Sequence, residues 1–132
     1  MRPLLLAGRD QRGSTMVEFA LVAPVLILLV MGIMEFGRLF QVWLVVTHAA
    51  REGGRYAAVG KSSSEVRTQV IAASPSLDTG LLSITTQNAQ GPSGTSVTVQ
   101  VSYPVTMVTP LIGDLLPQNP YAVQSMVVMR LE

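Results

Sequence analysis

FALVAPVLILLVMGIM, residues Phe19–Met34, is a run of sixteen uncharged residues bracketed by Glu18 and Glu35. As a helix rising about 1.5 Å per residue it covers roughly 24 Å, somewhat less than the ~30 Å hydrocarbon core of a bilayer. The shortfall is met on the C-terminal side. There FGRLFQVWLVV, Phe36–Val46, stays apolar apart from Arg38 and Gln41; the long stem of Arg38 can snorkel, and Trp43 suits headgroup level. We therefore expect a single membrane span held from Thr15 to about Val42. The rival reading, a helix buried inside a soluble domain, requires more chain than 132 residues offer to cover it on every side.

Composition points the same way. The chain is 48% apolar and only 13% charged, with a mean hydropathy of +0.43. Nine basic and eight acidic residues give a net charge of +1, too balanced for a nucleic-acid-coating protein. No cysteine is present, so disulfides, thiolate nucleophiles and thiolate–zinc sites are excluded.

The helical pattern outlasts the span. Leu39, Val42, Trp43, Val46, Ala49, Ala50, Gly53 and Ala57 recur at spacings of three and four, whereas Arg38, Gln41, Thr47, His48, Arg51, Glu52 and Arg55 lie mainly elsewhere. This predicts one long helix from about Thr15 to about Val59, apolar all round at first and amphipathic later, ended by Gly60 and the serines after it. The expected organisation is a leader over 1–13, the long helix over 14–60, and a small α+β head over 61–132.

Within the head, Ser62 and Glu65 have capping-box spacing, so a short helix is expected over about 63–73, stopped by Ser74-Pro75. Leu82–Thr86 and Val97–Tyr103 alternate as strands around the turn signal Gly91-Pro92-Ser93-Gly94, and Tyr121–Leu131 is expected to be a last strand. Pro104–Pro120 holds four prolines and reads as loop, with one helical turn expected over Thr109–Leu116. The expected fold is three antiparallel strands laid on the amphipathic half of the long helix, which supplies one wall of a core too small to stand alone.

No catalytic constellation is visible. His48 is the single histidine, and with no cysteine it builds neither a usual zinc site nor a serine triad. The glycines of Gly53-Gly54 and Gly91–Gly94 match no nucleotide-binding pattern. No catalytic, cofactor-binding or metal-binding residue is nominated, and no enzyme is expected.

Glu18 is the informative residue. A carboxylate at the edge of a membrane helix calls for a partner, and no basic residue lies within the next turn. Cutting between Gly13 and Ser14 would place a new α-ammonium on Ser14, one turn before Glu18 on the same face; the positive end of the helix would favour the carboxylate too. The plainer alternative, that Glu18 merely marks the water boundary, is equally compatible with the spacing. Glu35 and Arg38, three apart, have two readings as well: a pair that eases burial of both, or a solvated pair at the membrane surface, which is the plainer expectation. Pro24 removes the amide donor to the Ala20 carbonyl, so a kink or local unwinding is expected there.

Three linked motifs carry a resemblance: Arg12-Gly13-Ser14-Thr15-Met16-Val17-Glu18-Phe19-Ala20-Leu21-Val22-Ala23-Pro24, then Gly32-Ile33-Met34-Glu35-Phe36-Gly37-Arg38, then Ala49-Ala50-Arg51-Glu52-Gly53-Gly54-Arg55-Tyr56-Ala57. A basic leader ending in glycine before such a helix is similar to the type IV pilin class. The three motifs together resemble the TadE-like pseudopilins, minor pilins of the Tad (Flp) pilus system. The resemblance covers about residues 12–59 and leaves the head out. It implies a type IV pilin-like fold and cleavage between Gly13 and Ser14 by a prepilin peptidase. It implies assembly through Glu18, Phe19 and Pro24, with Glu18 meeting a neighbour's mature amine. Its implied partners are other pilin subunits, the inner membrane, the assembly platform and its motor ATPase, in a pilus of the kind associated with adhesion and biofilm. The implied location is the inner membrane with the head outside the cytoplasm, then the pilus. A cleaved secretory signal is disfavoured, because Glu35-Phe36-Gly37-Arg38 offers no small-x-small site. The remaining alternative is a non-assembling single-pass envelope protein with a ligand-binding head.

Overall fold

The computed structural model describes residues 11–109, 113, 114, 118 and 120–132. Most of the leader, and most of the turn expected over 109–116, lie outside the described residues. Within that turn Gly113 is helical, its N–H donating to the Thr109 carbonyl at 2.9 Å.

α1, Gln11–Ala58, is one helix of 48 residues. It starts before Thr15, so Gly13 and Ser14 are helical, and it runs unbroken through Pro24. The unwinding expected there is not present, because one missing N–H leaves the helical bonds on either side intact. The end is a Schellman motif: Gly60, at φ +76°, donates to the Ala57 carbonyl and Lys61 to that of Tyr56. The Ala58 carbonyl takes a third donor, the Glu132 N–H at 3.0 Å, which ties the C-terminus to the same helix end.

α2, Ser63–Ala72, opens on the expected capping box. The Glu65 N–H donates to Ser62 Oγ, and the Ser62 N–H donates to Glu65 Oε2 at 2.9 Å. β1, Ser83–Gln87, β2, Ser96–Val105, and β3, Tyr121–Arg130, form an antiparallel sheet in the order β1-β2-β3. β2 is the central strand and its register with β3 sets Val99 opposite Val127. β2 extends through Pro104, which was read as loop; the ladder with β1 ends at Ser102, so Pro104 falls where β2 has one neighbour only.

The core lies where the second half of α1 crosses the sheet. Val46, Ala49, Ala50 and Ala57 of α1 are fully buried with Val66 and Val70 of α2 and Val97, Val99 and Val101 of β2. Trp43, expected on this stripe, is instead nearly half exposed. Close approach is made possible by Gly53-Gly54. A Cβ on Gly53 would stand 2.5 Å from Val70 Cγ2 and 3.3 Å from Val99 Cγ1, and one on Gly54 would stand 3.0 Å from Val127 Cγ1.

Gly53→Ala should therefore destabilise the head. Overpacking costs about 1–3 kcal/mol, more than the ~1 kcal/mol that alanine gains over glycine in a helix. Gly37→Ala, where an added Cβ meets nothing within 4 Å, should carry no such penalty; denaturant unfolding in detergent compares the two. The capping box makes a pH prediction. Bonds from Ser62 and then Lys61 hold the Glu65 carboxyl below its usual range. A depressed folded-state pKa stabilises above the unfolded value, so protection of the α2 amides against hydrogen exchange should persist through pH 5 and fall only below about pH 4.3.

Candidate functional site

The first half of α1 packs against nothing. Met16, Val17, Phe19, Leu21 and the apolar residues on to Met34 are exposed on all sides, and the most hydropathic window is 0% buried. By length and composition this helix can cross a membrane. Gly13, Ser14, Glu18, Phe19 and Pro24 all lie exposed on it. Ser14 and Glu18 are one helical turn apart, and among the described residues Glu18 has no hydrogen-bond or ion-pair partner.

Glu35 behaves differently. It is 8% exposed, although it directly follows the free half of the helix. The loop after β2 folds back onto it. The Val108 N–H donates to Glu35 Oε1 at 3.1 Å and the Thr109 hydroxyl to Oε2 at 3.3 Å. Arg38 Nη2 donates to Oε1 at 2.8 Å and also to the Thr106 carbonyl. The solvated pair expected from spacing is thus corrected for the acid: Glu35 is sealed by the head, while the Arg38 side chain stays 44% exposed. A loop reaching back across more than seventy residues supplies the donors, and helical spacing carries no sign of it.

This clamp sets the height of the head on the helix. Irregular backbone such as 106–109 is not tolerated facing lipid at hydrocarbon depth. For a membrane-crossing α1 the hydrocarbon boundary would therefore fall at or below Glu35, and the span would end near Met34 rather than at Val42. From Met16 to Glu35 is twenty residues, about 30 Å of helix, which matches the hydrocarbon core.

Chemically the clamp is a fastener. Its carboxylate accepts three bonds, from Arg38, the Val108 N–H and the Thr109 hydroxyl. Among the described residues no group of three or more His, Cys, Asp or Glu is placed to hold a metal ion.

The free helix, Glu35 and Arg38 of the clamp and the Gly53-Gly54 pair fall in one continuous stretch, and the TadE-like protein family matches residues 13–55. Over that stretch, less than half of the chain, the sequence is similar to TadE-like proteins. The match takes in Gly13, Ser14, Glu18, Phe19, Pro24, Glu35 and Arg38 and leaves out β1, β2 and β3. No curated protein and no solved structure matches the chain. In structural terms the TadE-like segment ends at the glycine pair that seats α1 on the head. Val108 and Thr109, which donate to Glu35 from the loop after β2, lie outside it.

Replacing Glu35 by alanine should leave the Val108 N–H and the Thr109 hydroxyl without their acceptor. The expected cost is about 1–3 kcal/mol in head stability, read from denaturant unfolding. Cleavage of the 106–109 loop by protease should rise first. Glu35→Gln, which keeps an acceptor oxygen, should retain more of the stability.

Proposed function

We propose that this chain is a minor pilin, or pseudopilin, of a Tad pilus or of the complex that initiates it. In this reading it is made as a single-pass inner-membrane precursor with its head outside the cytoplasm. Prepilin peptidase adds water across the Gly13–Ser14 amide, leaving a carboxylate on Gly13 and an ammonium on Ser14. The mature subunit packs helix against helix with other pilin subunits. The assembly platform and its motor ATPase do the work of lifting it from the bilayer.

The observation that carries this reading is an exposed carboxylate, Glu18, with no partner among the described residues, at the start of a helix that is apolar on every side. Lipid covers the apolar side chains but leaves an acid at the rim without a counter-charge. A mature N-terminal ammonium, one turn away or on a neighbouring subunit, supplies it. The family match supports the same role, because a TadE-like segment implies a pilus-associated pseudopilin. We infer a structural rather than an enzymatic role, with no cofactor.

N-terminal sequencing of the chain isolated from cells should begin at Ser14; a chain that works with Met1 to Gly13 still attached would overturn the cleavage. Glu18→Ala should insert into the membrane normally yet enter sheared pili at least about tenfold less, since removing one partner of a desolvated charge pair costs about 2–5 kcal/mol. Normal incorporation would refute the pairing. A protein that stays wholly in the inner membrane would point instead to a non-assembling envelope protein.

A further inference from the structure

On the flank of α1 turned away from Trp43, a cleft of about 260 Å³ opens beside the clamp, lined by Met31, Met34, Glu35, Arg38, Val108 and Thr109. At about 100° per residue Met31, Met34 and Arg38 fall within an arc of about 60°, so the two thioethers stand below the guanidinium on one side of the helix. Met31 is 41% exposed, Met34 70% and Val108 69%. The Val108 amide is spent on Glu35 while its side chain is left outside. The cleft is therefore apolar at its lower end and cationic at its upper rim.

The charge at the rim is held in place. Arg38 Nη2 donates to Glu35 Oε1 and to the Thr106 carbonyl, which fixes the guanidinium plane. A guanidinium carries five N–H donors in a rigid fork. Those on Nε and Nη1 make no bond among the described residues, and 44% of the side chain stays exposed. Glu35 does not offer an anion to the opening. Both of its oxygens accept bonds and its side chain is only 9% exposed. No other acid lines the cleft.

Height selects the ligand. For a membrane-crossing α1 the hydrocarbon ends at or below Glu35, and the interfacial layer adds about 5–8 Å. Arg38 stands about 4.5 Å up the helix from Glu35, inside that headgroup layer, whereas Met34 and Met31 lie about 6 and 10 Å below Arg38, alongside acyl chains. A cation above and apolar side chains below reproduce the vertical order of a phospholipid. Guanidinium and phosphate pair through charge-assisted bonds, and the N–H fork matches phosphate geometry.

We propose that this cleft holds one anionic phospholipid of the leaflet on the head side. Its phosphate accepts from Arg38 Nε and Nη1, and an acyl chain lies against Met31, Met34 and Val108. The headgroup is net negative because the acid that a choline or ethanolamine ammonium would need is sealed inside the clamp. The site rests on the membrane-span reading and requires neither leader cleavage nor polymerisation.

The test uses the full chain in phosphatidylcholine vesicles carrying a trace of spin-labelled phosphatidylglycerol or spin-labelled phosphatidylcholine. The motionally restricted fraction should be about threefold larger for phosphatidylglycerol, as one half-exposed ion pair allows. Arg38→Gln should remove most of that preference. So should Val108→Asp, which sets an acid in the cleft yet keeps every donor of the clamp; an unchanged denaturant midpoint in Val108→Asp assigns the loss to the site and not to the fold. Equal restriction of the two lipids by the unsubstituted chain, or a preference that survives both substitutions, overturns the proposal. Glycerophosphoglycerol, the same headgroup without chains, should leave the labelled lipid in place at millimolar concentration; full displacement would make the ligand a soluble phosphate and defeat the lipid assignment. A chain that fails to float with the vesicles overturns the span and the site together, whereas one that floats without a preference overturns the site alone. Because no pilus forms in the vesicles, the result is independent of whether Glu18→Ala enters pili.

Discussion

The head has no core without α1. Its strands supply one row of valines, Val97, Val99 and Val101, and α2 adds Val66 and Val70. What closes this small apolar volume is the helix lying across it at glycine distance. Gly53 admits Val70 and Val99, and Gly54 admits Val127. The same rod that is apolar on every side near its start is therefore half of a soluble core near its end. Anchor and head are mechanically one piece, so a pull on the helix is transmitted to the sheet.

Glu35 marks the change from one regime to the other. Below it, among the described residues, no side chain is buried by the rest of the chain. Above it one stripe is covered by the protein itself. The acid is stable at that border because the head supplies a backbone N–H, a hydroxyl and a guanidinium. The clamp thereby holds the loop after β2 against the helix where its wholly apolar half ends. Glu18 has no comparable arrangement among the described residues. Two glutamates on one helix thus have opposite circumstances: one is satisfied within the fold and one has no partner among the described residues.

A groove between Phe40, Trp43 and Tyr121 follows from the same geometry. α2 lies on one flank of α1 and fills it, whereas on the β3 flank the sheet ends and, among the described residues, no comparable helix covers α1. Phe40 and Trp43 on that flank stay about half exposed.

Local and periodic features were legible from the residues alone. The long helix, its change from wholly apolar to one-sided, the capping box at Ser62 and Glu65, the stop at Gly60 and the three alternating strands all depend on neighbours within a few positions. Chemistry at that range is written along the chain. What depended on tertiary structure was contact across long separations: the sealing of Glu35 by Val108 and Thr109, the exposure of Trp43 despite its place on the apolar stripe, and the packing reason for Gly53 and Gly54. A carboxylate at a helix surface has the same spacing whether water or a returning loop covers it. Only the path of the loop, set by how β2 and β3 lie on α1, decides which one it meets.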